Sequence, residues 1–191
     1  MALMIVNCQE KLKYLLDAVI VIKVHELGIL DQLAGRIPII VCSTVTEDEA
    51  FYFDTEPGVK RYPINLKADI ASGKIKGAEA TAEELQKLQG MFDKLILEGL
   101  DPGETEALAL INSRSLGSVL FCTSDQAAVR ALALMGFSEQ GISLEELLQK
   151  AGLQKPLEPH HTQTRFNYYL SKGNQDRITG IGLKSGSGPK K

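Results

Sequence analysis

Histidine and cysteine are scarce in this chain, and the motifs missing along with them narrow the chemistry. The three histidines, His25, His160 and His161, are too few and too scattered for a Ser-His-Asp triad, and no Gly-x-Ser-x-Gly elbow is present. A serine-nucleophile hydrolase is thereby set aside. The three cysteines, Cys8, Cys42 and Cys122, contain no Cys-x-x-Cys pair, and two of them lie in or beside apolar runs. They read as reduced core residues rather than a disulfide or a zinc site. No P-loop or Gly-x-Gly-x-x-Gly occurs, and Gly180-Ile181-Gly182 and Gly186-Ser187-Gly188 lack a strand-to-helix setting, so nucleotide cofactors are not indicated. No apolar run approaches the roughly 20 residues that span a bilayer. The opening Met1-Ala2-Leu3-Met4-Ile5-Val6 has neither a basic flank nor a small-residue cleavage site and reads as an ordinary start. A soluble, cytoplasmic protein with no membrane partner is the expectation.

Positive charge is also in short supply overall: the net charge is −3, against a broadly basic nucleic-acid binder. The distribution is uneven. From His160 onward, Arg165, Lys172, Arg177, Lys184, Lys190 and Lys191 face only Asp176, a net of +5, which leaves −8 on the body. At 191 residues the chain suits one domain of ordinary size with an appendage. After Pro156 the composition changes, with Pro159, two histidines, three aromatics and a closing Gly-Ser-Gly-Pro-Lys-Lys, which places the boundary between Gly152 and Pro159.

Within the body, short apolar runs alternate with longer amphipathic ones, the pattern of βα units around a mostly parallel sheet. Lys13–Leu16 reads as a first strand running into Asp17, followed by helix to Leu33 with a break near Gly28. Ile37–Cys42 is a buried strand, with Ser43 or Thr44 capping a helix to about Phe53. Residues 54–80 are punctuated by proline and glycine, with a candidate strand over Val59–Leu66. Ala82–Leu97 has one helical period. Asp101-Pro102-Gly103-Glu104 opens a helix by a capping box with proline in the first turn. Gly117–Cys122 reads as a central strand, and Thr123-Ser124-Asp125 leads into a helix to about Met135, ended by Gly136. Phe137 starts a short strand, and Ser143–Ala151 is a last amphipathic helix.

In open α/β sheets, ligands bind beyond the carboxyl ends of the strands, so acids at strand-to-helix handovers are the first candidates. Asp17 interrupts an aliphatic run, where an unpaired carboxylate is costly. Glu104 heads the stripe Ala107, Leu108, Ile111, while Glu106 points about 160° away around the helix. Asp125 heads the stripe Ala128, Val129, Leu132. Glu47, Asp48 and Glu49 offer a further acid, and spacing does not choose among them; Glu49 and Asp48 can each face inward. Each acid has a plain alternative as a cap or a first-turn residue favoured by the helix dipole. Capping does not, however, require acids on every core-facing stripe. Carboxylates converging on one point must bind protons or a cation, and hard oxygen ligands suit Mg²⁺ or Mn²⁺. Phosphodiester hydrolysis is the chemistry implied.

Leu16-Asp17-Ala18, the Ser43–Glu49 segment, Asp101-Pro102-Gly103-Glu104-Thr105-Glu106-Ala107 and Cys122-Thr123-Ser124-Asp125, in this order and spacing, resemble the motifs of PIN-domain proteins. The likeness covers roughly residues 12–151 and is nearest the branch with a Gly-Glu-x-Glu-Ala helix. The resemblance implies a three-layer PIN-like α/β fold over residues 1–155; composition and charge set residues 156–191 apart as a basic flexible tail or docking segment. It also implies a metal-dependent endoribonuclease, often the toxin of a toxin–antitoxin pair. Carried over by position, it gives catalytic roles to Asp17, Glu49, Glu104 and Asp125. Of these, Asp17, Glu104 and Asp125 would hold Mg²⁺ or Mn²⁺, with the Thr123 hydroxyl nearby. One departure is Ala18-Val19-Ile20 after the first acid, where family members carry a small polar residue. The alternative is a non-catalytic PIN-like module that binds protein or RNA. The expected partners are an RNA substrate, an antitoxin whose arginine reaches the carboxylates, and a second copy of the chain in a homo-oligomer. The segment from His160 is expected to help hold RNA.

Overall fold

The computed structural model describes residues 11–50, 52–54 and 61–184; Cys8 and the two final lysines lie outside them. The first strand, β1 (Lys13–Leu16), buries three of its four residues, as a parallel strand covered on both faces does. Asp17 ends it and caps α1 (Ala18–Glu26); Gly28, at φ +63°, turns the chain toward the short α2 (Leu30–Ala34). The fully buried β2 (Ile39–Cys42) follows.

The next segment departs from the expected helix. Val45–Glu49 is a single π-helical turn, closed by Ala50 N–H donating to the Val45 carbonyl at 3.1 Å, and β3 (Tyr52–Asp54) begins almost at once. Ser43 and Thr44 do not cap it, because Glu106 takes the Ser43 hydroxyl and the Thr44 N–H. β3 pairs antiparallel with β4 (Arg61–Pro63). That strand is shorter than expected because Asn65 caps α3 (Leu66–Ala71); Val59 lies outside the described residues. β5 (Lys76–Ala78) then returns to the main sheet.

A single helix was expected over Ala82–Leu97, and the structure has two. Phe92, wholly buried and extended, ends α4 (Ala82–Met91), and the Asp93 carboxylate caps α5 (Lys94–Glu98). The break is tertiary in origin: Phe92 bridges to Leu183, and Asp93 N–H donates to the Gly182 carbonyl at 2.9 Å. Periodicity cannot report a partner some 90 residues away in sequence.

The rest of the body follows the reading closely. α6 (Pro102–Ser113) opens with the reciprocal Asp101–Glu104 capping box and Pro102 in its first turn. β6 (Val119–Cys122) runs into α7 (Gln126–Leu134), which Gly136 ends at φ +85°. Phe137 starts no strand; a 3-10 turn over Ser138–Gln140 comes first, and β7 is only Gly141–Ile142. Ser143 caps α8 (Leu144–Lys150). α8 is not the last helix, because after a 3-10 turn at Pro159–His161 the chain forms the seventeen-residue α9 (Gln163–Thr179) along α7. Phe166 is buried there, and Arg130 Nη2 meets Asp176 Oδ2 at 2.7 Å. The segment read as a basic tail or docking piece thus packs, over residues 163–179, on the body of its own chain.

All five strands of the main sheet are parallel, in the order β5-β2-β1-β6-β7. From β1 the chain winds outward through β2 to β5, then crosses back to β6 and winds the other way to β7. Right-handed crossovers then put α1, α2 and α3 on one face and α4 to α7 on the other, a three-layer α/β fold. The winding reverses between β1 and β6, the place in such sheets where ligands bind beyond the strand ends.

Gly173 is where α9 touches α7 most closely. A β-carbon there would stand 2.7 Å from the Ala133 methyl and closer still to the Arg130 carbonyl. Gly173→Val is expected to destabilise the protein by about 1–3 kcal/mol, the usual cost of overpacking, despite valine's better helix propensity. An unchanged thermal midpoint would show that α9 does not hold α7 as described.

Candidate functional site

Asp17 lies at the switch point itself. Its N–H continues the β1–β6 ladder by donating to the Cys122 carbonyl at 3.1 Å. One carboxylate oxygen accepts from Ala18 N–H at 2.7 Å, and the other accepts from the Thr123 hydroxyl at 2.8 Å. Thr123 is itself wholly buried, and its oxygen accepts from Asp125 N–H at 3.1 Å. Asp125 then caps α7, one oxygen accepting from Ala127 and Ala128 N–H at 2.6 and 3.2 Å. A continuous hydrogen-bond path therefore runs from the end of β1, through Thr123, to the start of α7.

A second group of acids gathers at the start of α6. Glu104 is 2% exposed; its N–H donates to Asp101 Oδ1 at 2.7 Å and its carboxylate accepts from Asp101 N–H at 3.0 Å. Among the three consecutive acids of the π turn, Glu47 and Asp48 are exposed, and Glu49 turns inward to accept from Gly103 N–H at 2.9 Å. The other Glu49 oxygen is buried without a hydrogen-bond partner. Glycine at 103 is required by that approach, since a β-carbon would collide with the Glu49 carboxylate. The π turn sets this register, and such turns concentrate at functional sites.

The groups act on one another electrostatically. Burial pushes the Asp17 carboxyl up to about 7, helped by the charges of Asp101 and Glu49 and opposed by the bonds from Thr123 and Ala18. Burial also raises Glu104, to about 9, with Asp125, Asp17 and Asp101 adding repulsion. Glu49 and Asp101 are raised in the same direction by partial desolvation and by acidic neighbours, Asp101 for Glu49 and Asp125 for Asp101. Asp101, read from sequence only as a cap, therefore belongs to the cluster. What gathers at this edge is a set of carboxylates with unmet negative charge.

Glu106 was placed on the side of α6 away from the core-facing stripe, yet it is only 4% exposed. Its own face is covered by the ends of β2 and β5, and it accepts from the Ser43 hydroxyl at 2.7 Å, Thr44 N–H at 2.8 Å and Ala80 N–H at 3.0 Å. Burial works against its charge, but these donors outweigh it and lower its pKa. It is a structural clamp between strand ends.

Sequence reasoning missed one further contact. His161, read as part of a polar linker, is 3% exposed, and its Nδ1 lies 2.6 Å from the Ser124 hydroxyl, between Thr123 and Asp125. Burial, reinforced by the charge of His160, pushes it down to about 4, so it is neutral at ordinary pH. Nothing in the Pro159-His160-His161 spacing signals this; the contact exists because α9 returns along α7.

The all-oxygen donor set suits a hard divalent cation, and the orphaned Glu49 oxygen and the raised carboxyls both indicate a missing positive charge. Each acid is also engaged in its own element, and among the described residues no three His, Cys, Asp or Glu side chains stand where one ion could join them. No family model, no curated protein and no solved structure matches the chain. Among the described residues, no helix is long and apolar enough to cross a membrane.

Two outcomes follow from these environments. Because Asp17 and Glu104 hold protons in the folded state that the unfolded chain releases above about pH 4, stability without metal should fall as pH rises toward 9. Glu106 works in the opposite sense and removes stability on acidification below about 4.5. His161, pushed down to about 4, gains stability as pH rises from about 4 to 6.5 and offsets part of the fall there, so the thermal midpoint in chelator should drop most clearly between pH 6.5 and 9; a midpoint flat over that range would mean that the acids ionise normally. Glu106→Ala should cost on the order of 3 kcal/mol by stranding three donors, read by denaturant unfolding; a neutral effect would rule out the clamp.

Proposed function

We propose that this chain is a PIN-like endoribonuclease that hydrolyses RNA phosphodiesters with Mg²⁺ or Mn²⁺. The observation that carries the proposal is the gathering, at the sheet's switch point and beside Asp125, of Asp17, Glu49, Asp101 and Glu104, all with raised proton affinity. Surplus negative charge of this kind is what a divalent cation neutralises. Asp17, Glu104 and Asp125 would hold the ion only after their carboxylates leave the helix-start N–H groups they now accept from. When bound, it supplies charge stabilisation to a phosphate and a water of lowered pKa.

The chain's own residues do the positioning. Thr123 keeps the Asp17 carboxylate and the Asp125 backbone in fixed relation, and Gly103 gives Glu49 room beside the start of α6. Burial of Asp17 and Glu104 keeps bulk water from screening them. Ala18-Val19-Ile20 contributes no hydroxyl or amide for orienting water or phosphate, so that work falls to Glu49, whose second oxygen is without a partner. A toxin role is part of the same proposal. The partner would be a small basic antitoxin whose arginine replaces the cation against the carboxylates.

A second reading, a non-catalytic module that binds protein or RNA, is favoured by one specific observation. Asp17, Glu104 and Asp125 all bond backbone N–H groups at their own helix starts, as purely structural caps do. Metal binding separates the two readings, because a ligand that binds only the folded state raises its stability.

Millimolar Mn²⁺ is expected to raise the thermal midpoint of the wild-type protein by several degrees and to support cleavage of single-stranded RNA. Asp17→Asn keeps the volume, removes the charge, and should lose at least a hundredfold in cleavage rate while folding normally. Wild-type protein that neither gains stability from Mg²⁺ or Mn²⁺ nor cuts RNA would leave the module as the function.

A further inference from the structure

On this net-acidic chain, two basic residues meet two tyrosines on one face of α9. Arg165, Tyr168, Tyr169 and Lys172 follow the i, i+3, i+4, i+7 spacing and so form a single stripe. Arg165, Tyr168 and Lys172 are exposed and Tyr169 is half-buried, while Phe166 and Gly173 turn inward to the body. The Arg165 guanidinium lies 4.7 Å from the Tyr169 ring centre and 5.8 Å from that of Tyr168, and the Lys172 ammonium lies 4.7 Å above Tyr168. The two rings meet edge to face with centres 5.1 Å apart. Among the described residues, neither cation is in an ion pair with a carboxylate.

We propose that this stripe is the docking surface for single-stranded RNA, presented to the carboxylate edge by the His161–Ser124 contact. The proposal rests on the ribonuclease reading and names the surface that would hold its substrate. Three features favour a single strand. Cations without carboxylate partners on a body that is otherwise negative offer phosphates their local attraction. The accompanying ring faces suit unpaired bases, which a duplex keeps stacked on each other. The stripe spans about 10 Å along the helix, roughly three nucleotides of a stacked strand. Its placement adds a fourth. His161 is fixed against Ser124, beside Thr123 and Asp125, and Arg165 lies only about one turn further on. A strand lying on the stripe thus begins next to the acids.

The nearby acids do not cancel the stripe. Asp176 is paired with Arg130, Glu146 lies 3.3 Å from Lys150, and Glu145 and Glu146 accept from the main chain and side chain of Gln163 at the other side of the first turn. The buried contacts that hold α9 involve none of the four stripe residues, so substitutions there should leave the fold intact.

The test uses the full chain in chelator, so that cleavage is silent, with a labelled twelve-nucleotide oligouridylate and a duplex of equal length in fluorescence anisotropy. Wild-type protein should bind the single strand more tightly than the duplex, and Tyr168→Ala should weaken that binding about tenfold to a hundredfold. Arg165→Gln combined with Lys172→Gln should shallow the salt dependence by about 1.4 in log–log slope. Thermal melts confirm that each variant is folded. Unchanged affinity and slope in the variants, equal affinity for duplex, or equal displacement by polyglutamate would overturn the proposal. Variants that bind unchanged while wild-type protein cuts RNA would remove the surface and leave the nuclease. Binding through the stripe by a protein that never cuts RNA supports the surface and overturns the nuclease reading alone.

Discussion

Burial of several carboxylates at one sheet edge, sharpened by their mutual repulsion, is the constraint around which the rest of this structure is arranged. Asp17, Glu49 and Asp125 follow three different strands, Asp101 and Glu104 open α6 after another helix, and parallel winding in opposite directions brings them together near the β1–β6 switch point. Charges of one sign in partly desolvated surroundings can be kept only by donors, protons or a counter-ion. The fold uses the first two openly. Helix N-termini and the Thr123 hydroxyl supply donors, and Asp17 and Glu104 take up protons near and above neutrality. The remaining imbalance, visible in the orphaned oxygen of Glu49, is what leads us to a cation.

Two glutamates on α6 show how closely environment, and not residue type, sets the outcome. Glu104 and Glu106 are two positions apart on one helix and both are buried. Glu106 receives three donors from the ends of β2 and β5 and stays charged. Glu104 receives one and faces other acids, so it gains proton affinity. One therefore locks strand ends, and the other keeps chemical potential for binding.

α9 gives the site its far wall and its charge contrast. It packs on α7 through Phe166 and Gly173, ties to it by the Arg130–Asp176 pair, and plants His161 beside the Thr123–Asp125 turn. A helix with a net positive charge is thus fastened next to the acids of a body whose own net charge is negative. A polyanion needs both halves of that arrangement: attraction where it docks, and a cation where it would be cut.

Local chemistry settled much of this in advance. Lys13–Leu16, Ile39–Cys42 and Val119–Cys122 are apolar runs bounded by capping acids or hydroxyls, and Asp101-Pro102-Gly103-Glu104 carries every residue of its helix start, so strands, caps and the parallel α/β class were legible from neighbours in sequence. Asp17, Glu104 and Asp125 could be picked out because each heads an apolar stripe. What depends on distant partners could not be read. The π turn at Val45–Glu49 forms where Glu106 takes up Ser43 and Thr44; the break at Phe92 forms because Leu183 and Gly182 bond across it; the seating of α9 depends on glycine lying against a carbonyl of α7. In each case the deciding energy is a contact between segments 40 or more residues apart. Composition and periodicity, which average over one turn or one strand, carry no record of such a contact, and only the folded chain reveals it.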